Sequence, residues 1–456
     1  MPIIKQSRRE LLGWGAAAMA GGTIGWSTVS AKPPSRLGTT IVLRNARLFD
    51  GENTTLREGL QVFVRDAKIL AVEPAAVAPP ANAAVIDCRR QMLMPGLIDA
   101  HYHTMFAALP PELRRSATLD TLALYGAQDM EAALMRGYTT LRDVGSASFG
   151  LKDAIDRGGI AGPRIFPSGL ALSQTGGHGE MREPSEVPGY GNDLPEISNY
   201  KSVIADGADA VRRRVREQLL MGASQIKVMA GGGIISPRDP LDSLQYSTDE
   251  IKAAVDTAAD WGTYVTVHAY TPQSIERSIR AGVKCVEHGQ LADENAAKMM
   301  RDHGIWWSIQ PFVPLGKTEL TDPRQIQKLE SVVQGTDTAY HLAKRFGIRV
   351  GYGTDYAFNP EGAARQSTRL AALGRWYDPV AALRIATGEN AALLALSARR
   401  NPYPDGALGV IKPGAYADLL VVDFAAAQSL ERFLEPETTL RLIMKDGRIF
   451  KNALDA

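Results

Sequence analysis

The chain has 456 residues and a formal net charge of +1, because 51 Lys and Arg side chains are balanced by 50 Asp and Glu side chains. Hydrophobic residues make up 45% of it and charged residues 22%, as in ordinary globular proteins. This length allows two or three domains, or one large barrel with an accessory domain. The balanced charge argues against nucleic-acid binding, and the two cysteines cannot supply a disulfide framework.

The first 31 residues have the pattern of an export signal. A twin-arginine pair, Arg8-Arg9, precedes a mildly apolar stretch rich in Gly and Ala, which ends in the small-residue cleavage pattern Val29-Ser30-Ala31. A membrane anchor needs about 20 strongly apolar residues, and the glycines dilute this stretch too much. We therefore expect residues 1–31 to be removed and the protein to be periplasmic or secreted by the twin-arginine route, without a stable membrane anchor.

Both ends of the mature chain are rich in strand patterns. Short apolar runs between residues 40 and 87 are separated by Gly, Pro and Asn, which predicts a small antiparallel sheet. Similar runs return near the C-terminus, where Lys445-Asp446-Gly447 predicts a hairpin turn. The two ends together predict one small β-sandwich domain, built from residues 32–94 and 405–456.

The middle of the chain, residues 95–404, alternates short apolar runs with amphipathic helices. Eight runs are candidate strands: residues 94–101, 139–144, 164–170, 225–229, 264–268, 285–288, 306–310 and 349–354. Eight strands separated by helices predict an α/β fold, a (β/α)8 TIM barrel. The alternative is an open doubly wound sheet, but no dinucleotide fingerprint follows the first strand. A connection rich in Gly and Pro, from Ser173 to about Asp206, predicts a lid or binding loop.

Polar residues cluster at the carboxyl ends of the predicted strands, the face where barrel enzymes build their active sites. The residues concerned are His101, His103, Lys227, His268, His288 and Asp355. Side chains two residues apart on a strand point the same way, so both histidines of the H-x-H pair face one site. This set of nitrogen and oxygen ligands suits a pair of Zn²⁺ ions.

Lys227 lies in an otherwise apolar strand, where an unpaired ammonium is costly to bury. One interpretation is a lysine that extends its charge past the strand end to water. The other is a neutral lysine that reacts with carbon dioxide, since burial depresses lysine pKa values. The resulting carbamate would carry two oxygens and could bridge two metal ions.

Several segments resemble the amidohydrolase superfamily and cover essentially the whole mature chain. They are residues 95–101 (PGLIDAH), the ligand pattern above, and residues 414–419 (GAYADL). Residues 137–145 (GYTTLRDVG) and 175–179 (TGGHG) resemble its binuclear zinc branch of Xaa-Pro dipeptidases and Xaa-Arg/Lys carboxypeptidases. That branch includes ochratoxinase and lies near imidazolonepropionase.

The resemblance implies a hydrolase that cleaves an amide bond next to a free carboxylate by attack of a zinc-bridging hydroxide. It implies that His101, His103 and Asp355 hold one zinc ion and that His268 and His288 hold the other. Lys227, as N6-carboxylysine, would bridge the two ions. Asp355 would act as general base and then general acid.

The resemblance also indicates His178 and Tyr270 as donors to the oxyanion. The alternatives are a loop histidine without a role and a tyrosine that packs at a strand exit. The loop at residues 311–323 contains no recognisable carboxylate clamp, so the side-chain preference stays open.

The implied substrate is a small molecule, either a dipeptide, a peptide C-terminus or an N-acyl amino acid. The resemblance also implies a homo-oligomer that binds no nucleic acid. Two other hypotheses remain at this point. One is hydrolysis of a non-peptide amide, such as an N-acyl amino acid, an ochratoxin-type mycotoxin or a cyclic imidazolone. The other is a binding or scaffold barrel without catalysis.

Overall fold

The computed structural model describes residues 38–182, 197–198, 202–236, 238–314 and 320–454. The predicted export signal lies outside these ranges, as does the centre of the connection after Ser173. Within the described ranges, no helix is both long and apolar enough to cross a membrane.

The strands fall in three groups along the chain. Those near the N-terminus are β1 (Ile41–Arg44), β2 (Arg47–Leu48), β3 (Leu60–Arg65), β4 (Lys68–Pro74), β5 (Ala84–Asp87) and β6 (Met92–Pro95). Those of the middle are β7 (Leu97–Tyr102), β8 (Tyr138–Asp143), β9 (Arg164–Pro167), β10 (Ala171–Ser173), β11 (Ile197–Ser198), β12 (Ser202–Ile204), β13 (Ile226–Met229), β14 (Val265–Ala269), β15 (Cys285–His288), β16 (Trp306–Ile309) and β17 (Val350–Tyr352). The last three are β18 (Leu419–Val422), β19 (Leu440–Lys445) and β20 (Arg448–Asn452).

Helices follow most strands of the middle group. They are α1 (Leu119–Met135), α2 (Phe149–Asp156), α3 (Ala208–Leu220), α4 (Thr248–Asp260), α5 (Pro272–Ala281), α6 (Glu294–Asp302), α7 (Pro323–Phe346), α8 (Pro360–Ala364), α9 (Ser367–Ala372), α10 (Pro379–Arg384), α11 (Asn390–Leu394) and α12 (Pro436–Thr439). Local signals set their ends. A capping box of Ser247 and Glu250 starts α4, and the left-handed Gly282 (φ 100°) ends α5.

The N-terminal strands form a four-stranded sheet in the order β4-β3-β1-β5. Strand β3 pairs antiparallel with β1 and β4, as predicted, but β1 pairs parallel with β5, so Ile41 lies opposite Ala84. The prediction of an antiparallel sheet is therefore wrong for this pair. The reason is that the chain returns from β4, at one edge, to the free edge of β1 through residues 75–83.

A second sheet combines both ends of the chain in the order β2-β6-β18-β19-β20. Strand β18 pairs antiparallel with β6 and with β19. The predicted hairpin is confirmed, because β19 and β20 pair across Asp446 (φ 52°) and Gly447 (φ 68°). Positive φ at both central residues is the requirement of the tight turn that Asp-Gly favours.

The middle strands form two parallel sets, which confirms a mixed α/β fold with parallel sheets. One sheet has the order β7-β8-β9, and the other runs β11-β12-β10-β13-β14-β15-β16-β17. Every pair in these two sheets is parallel except β11 with β12. A buried cluster lies towards the amino ends of these strands, and it includes Ile98, Ala100, Phe166, Tyr264, Cys285 and Trp306. Apolar packing thus supports the strands, and their carboxyl ends carry the polar residues.

Candidate metal centre and active site

Four histidines meet at the carboxyl ends of three parallel strands. His101 lies in β7 with His103 just beyond it, His268 lies in β14, and His288 is the last residue of β15. Ring centroids are 5.5 Å apart for His101 and His103, 4.9 Å for His101 and His288, and 4.3 Å for His268 and His288. The structure therefore brings together all four histidines that the sequence analysis selected from strand ends.

Asp355 joins this cluster from beyond β17. Its Oδ1 lies 3.1 Å from Nε2 of both His101 and His103, and its Oδ2 lies 3.9 Å from Nδ1 of His288. Burial alone would raise the pKa of the Asp355 carboxyl. The charge of His101 and the hydrogen bonds from His101 and His103 outweigh it and hold this pKa well below its usual range.

The backbone is strained where these side chains enter the site. His288 has φ 73° and Asp355 has φ 56°, values that residues other than glycine rarely adopt. Glycine permits the close approach beside them, because a Cβ at Gly353 would lie 2.3 Å from Cβ of His101. Both residues are predicted metal ligands, and strained backbone of this kind is often found at functional sites.

Lys227 lies in β13 and is buried. Burial lowers the pKa of its ammonium to about 8, although the charges of Glu287 and Asp355 act in the opposite direction. Among the described residues, no oxygen accepts a hydrogen bond from this ammonium. A buried lysine with a lowered pKa supplies the neutral amine that carbamate formation needs.

The donor set fits a divalent metal ion. His101, His288 and Asp355 offer ligand atoms that all lie within 4.8 Å of one another. Nδ1 of His103 and Nδ1 of His288 are buried and, within the described part of the chain, have no hydrogen-bond partner. Buried imidazole nitrogens normally have a partner, and imidazole with carboxylate is the ligand combination of zinc sites.

The compact group does not reproduce the expected division of ligands between two ions. It joins His101 and Asp355, expected at one ion, with His288, expected at the other. Nε2 of His268 lies 3.0 Å from the carbonyl oxygen of Gly232 instead. The assignment of ligands to two ions, and the carbamate on Lys227, stay predictions.

His178 and Tyr270 flank the histidines. The His178 ring stacks on His268 at 4.3 Å, and the Tyr270 ring stacks on His288 at 4.9 Å. Nδ1 of His178 lies 2.7 Å from Oγ of Ser236. Burial lowers the pKa of His178 to about 4, so its imidazole is neutral at physiological pH. Both rings therefore lie against predicted metal ligands, which is where the oxyanion role would require them.

A buried ion pair beside the cluster was not predicted from the sequence. Arg142 of β8 donates to Glu287 of β15 over 2.6 Å, and both side chains are 0% exposed. The other carboxylate oxygen of Glu287 lies 2.8 Å from Nδ1 of His101. The available signal was a positive charge in one predicted barrel strand and a negative charge in another, because such charges are rarely buried unless they are paired.

Comparison with known proteins places this chain in a family. Residues 92–450 match the amidohydrolase family. An ochratoxinase from Aspergillus niger is 31% identical over 379 residues, which are 80% of this chain and 76% of that protein. A crystal structure of an amidohydrolase is 37% identical with a TM-score of 0.82, covering 91% of this chain and 99% of that one. A crystal structure of a prolidase complexed with N-methylphosphonate-L-proline is 34% identical with a TM-score of 0.82, covering 91% and 100%.

The chain therefore belongs to the amidohydrolase family, and the resemblance found in the sequence is confirmed. Its structural neighbours indicate a TIM-barrel-like fold with an additional domain. The protein is a hydrolase of a family that generally uses metal ions, and the His and Asp cluster agrees with this.

Proposed function

We propose that this protein is a binuclear zinc hydrolase that cleaves an amide bond next to a free carboxylate, as a dipeptidase or carboxypeptidase. The observation that carries the proposal is the position of Asp355, 3.1 Å from both His101 and His103 and next to His288. The prolidase and the ochratoxinase among the relatives support an amide as the substrate.

Six residues would hold the two ions. His101, His103 and Asp355 would bind one, His268 and His288 the other, and Lys227 would lie between them as N6-carboxylysine. Divalent ions bound there would lower the pKa of water and polarise the amide carbonyl.

Proton transfer and donation to the oxyanion would be carried out by side chains of the protein itself. Asp355 would accept a proton on a carboxylate oxygen and return it to the leaving amine. Burial raises the pKa of Tyr270 well above its usual value, so its hydroxyl stays protonated and can donate to a developing oxyanion. The Ser236 hydroxyl has two acceptors in reach, Nδ1 of His178 at 2.7 Å and the carbonyl of Gly233 at 3.2 Å. When it donates to the nearer Nδ1, the imidazole keeps its proton on Nε2, which gives a second donor.

We also propose that the two parallel sheets close into one (β/α)8 barrel spanning residues 95–404. The amide of Asp355 donates to the carbonyl of His101 over 2.8 Å, which joins the ends of β17 and β7. At the other junction, the amide of Ser224, two residues before β13, donates to the carbonyl of Pro167 at the end of β9 over 2.8 Å. Residues 32–94 and 405–456 would form the accessory β-sandwich.

The test is a substrate panel with the purified, zinc-loaded protein. It pairs Xaa-Yaa dipeptides and N-acyl amino acids with the same compounds carrying a C-terminal amide. We expect turnover of the free acids only, with activity lost after chelation and restored by zinc. Equal turnover of the amidated compounds would contradict the proposed requirement for a carboxylate.

A second candidate is hydrolysis of a non-peptide amide, which the 31% identity with an ochratoxinase favours. The same panel separates the two candidates. Turnover of aromatic N-acyl amino acids without turnover of any dipeptide would select the second one.

A further inference from the structure

The Arg142–Glu287 pair forms one end of a buried chain of hydrogen bonds. One carboxylate oxygen of Glu287, Oε1, accepts from Nη2 of Arg142 over 2.6 Å and also from Oγ1 of Thr266. Arg142 is itself held by the carbonyl of Ala100 and by the hydroxyl of Tyr264. Sγ of Cys285 is a third donor to Oε1, at 3.5 Å, and the charged, fully buried Arg142 fixes the orientation of the carboxylate.

The second oxygen, Oε2, lies 2.8 Å from Nδ1 of His101. An arginine guanidinium stays charged in proteins, so the carboxylate beside it is ionised and can only accept hydrogen bonds. The proton of this contact must therefore be on Nδ1 of His101. This is a charge-assisted hydrogen bond between two buried groups, the stronger kind.

His101 has a second carboxylate at its other nitrogen, because Oδ1 of Asp355 lies 3.1 Å from Nε2. The two carboxylates differ in environment: Glu287 is 0% exposed and held by Arg142, whereas the Asp355 side chain is 19% exposed. A cation that replaces one imidazole proton therefore does so on the Asp355 side, at Nε2.

One other contact competes for the same nitrogen. Nε2 of Gln310 lies 3.1 Å from Nδ1 of His101 and also donates to the carbonyl of Ser308 over 3.1 Å. A Gln310 amide that donated to His101 would require Nδ1 without a proton. The contact with Glu287 is shorter and involves a charge, so it decides where the proton lies.

We propose that Glu287, oriented by Arg142, is a positioning residue that keeps the proton on Nδ1 of His101 and leaves Nε2 free for a metal ion. Carboxylates behind histidine ligands set the tautomer and the ring orientation in this way at metal sites. The inference rests on the proposed metal hydrolase, and its tests include readouts that do not depend on turnover.

The decisive variant is Glu287→Gln, which keeps the size of the side chain. Arg142 and Thr266 are both donors, so they take the amide oxygen of the new side chain and turn its NH₂ group toward His101. Nδ1 of His101 would then have to accept a hydrogen bond, so the imidazole would carry its proton on Nε2, the nitrogen that the metal ion needs. We expect zinc affinity to fall about 10–100-fold, and the zinc content to drop below that of the wild type.

The matched control is Thr266→Val, which removes a donor to the same carboxylate but leaves the contact with His101 intact. We expect it to keep the zinc content of the wild type. A loss of zinc in Thr266→Val equal to that in Glu287→Gln would mean general damage and would overturn the positioning role.

The direct readout is the Nδ1–H signal of His101 in NMR spectra of ¹⁵N-histidine-labelled, zinc-loaded protein, assigned by its loss in His101→Asn. We expect the signal in the wild type and not in Glu287→Gln. Unchanged signal and zinc content in Glu287→Gln would overturn the inference, as would loss of the signal in Gln310→Leu. If Glu287→Gln does not fold, the wild-type spectrum decides, and absence of the signal refutes the role.

Failure of the proposed function would be recognised separately. A wild-type protein that binds no zinc and hydrolyses no amide would refute the hydrolase proposal. The Nδ1–H signal can still be sought in the metal-free protein, where its absence would refute the contact itself.

Discussion

The backbone amide of Asp355 donates a hydrogen bond to the carbonyl of His101 over 2.8 Å. The preceding residue strengthens this junction, because Thr354 donates to the Asp99 carboxylate from its amide over 3.1 Å and from its hydroxyl over 2.7 Å. The ends of β17 and β7 are therefore held together at the point where the predicted base meets the H-x-H pair. The three predicted ligands His101, His103 and Asp355 therefore meet, although they come from opposite ends of the parallel region.

Asp355→Asn tests the role of this carboxylate. Asparagine tolerates the left-handed backbone that Asp355 adopts at φ 56°, so we expect the variant to fold with a Tm near that of the wild type. Loss of the proton-accepting oxygen should lower kcat by about 10²–10⁴-fold. The measurement is kcat on the best substrate of the panel, beside a thermal melt. Near-normal turnover in a folded variant would remove Asp355 from the proposed proton transfer.

Lys227→Met tests the bridging position. Methionine fills the space of the lysine stem without its charge, which relieves the cost of burying an ammonium, so the fold should persist. We expect loss of zinc, measured by elemental analysis, and loss of turnover. Lys284→Met is the matched control, since Lys284 is exposed just before β15, and it should change neither. Two zinc ions and full activity in Lys227→Met would exclude the carbamate.

The two cysteines should be unreactive in the folded protein. Burial raises the pKa of both the Cys88 and the Cys285 thiols to about 12. The folded state thus favours the protonated thiol, and this contribution to stability is lost as the pH rises from about 9 to about 12. At pH 8 we expect no reaction with a disulfide reagent until guanidinium unfolds the chain. Rapid labelling of the native protein would contradict the buried positions.

Arg164→Met tests the contact between the parallel region and the C-terminal strands. Arg164 of β9 bonds to Asp418 over 3.0 Å, both side chains are 5% exposed, and Arg164 also bonds to Asp446. Removing one partner of a buried pair costs about 3–5 kcal/mol, so the free energy of unfolding should fall by that order.

The control for this variant is Arg157→Met. Arg157 pairs with Asp153 on the surface of α2, where the two side chains are 77% and 62% exposed. Chemical denaturation should show no measurable change for it, because water and salt screen exposed pairs. Equal destabilisation by the two substitutions would show that the buried pair has no special role.

Local sequence patterns predicted much of the fold. The predicted strand at residues 285–288 coincides with β15, because a short apolar run is a local signal. The ends of α5 also carry local signals, with Pro272 at its start and Gly282 after its last residue. The parallel pairing of β1 with β5 was not predictable in this way. This pairing depends on which edge of the sheet the chain reaches after β4, and the residues of β1 and β5 do not determine that edge.

The sequence by itself determined which polar side chains end the parallel strands, and through them the amidohydrolase resemblance. Only the tertiary structure decided which of these groups touch, such as Asp355 with His101 and Glu287 with Arg142. The physical reason is the distance along the chain over which each feature is determined. A strand end is set by residues a few positions away, whereas a contact near 3 Å depends on the register of several strands and on backbone angles such as φ 56° at Asp355.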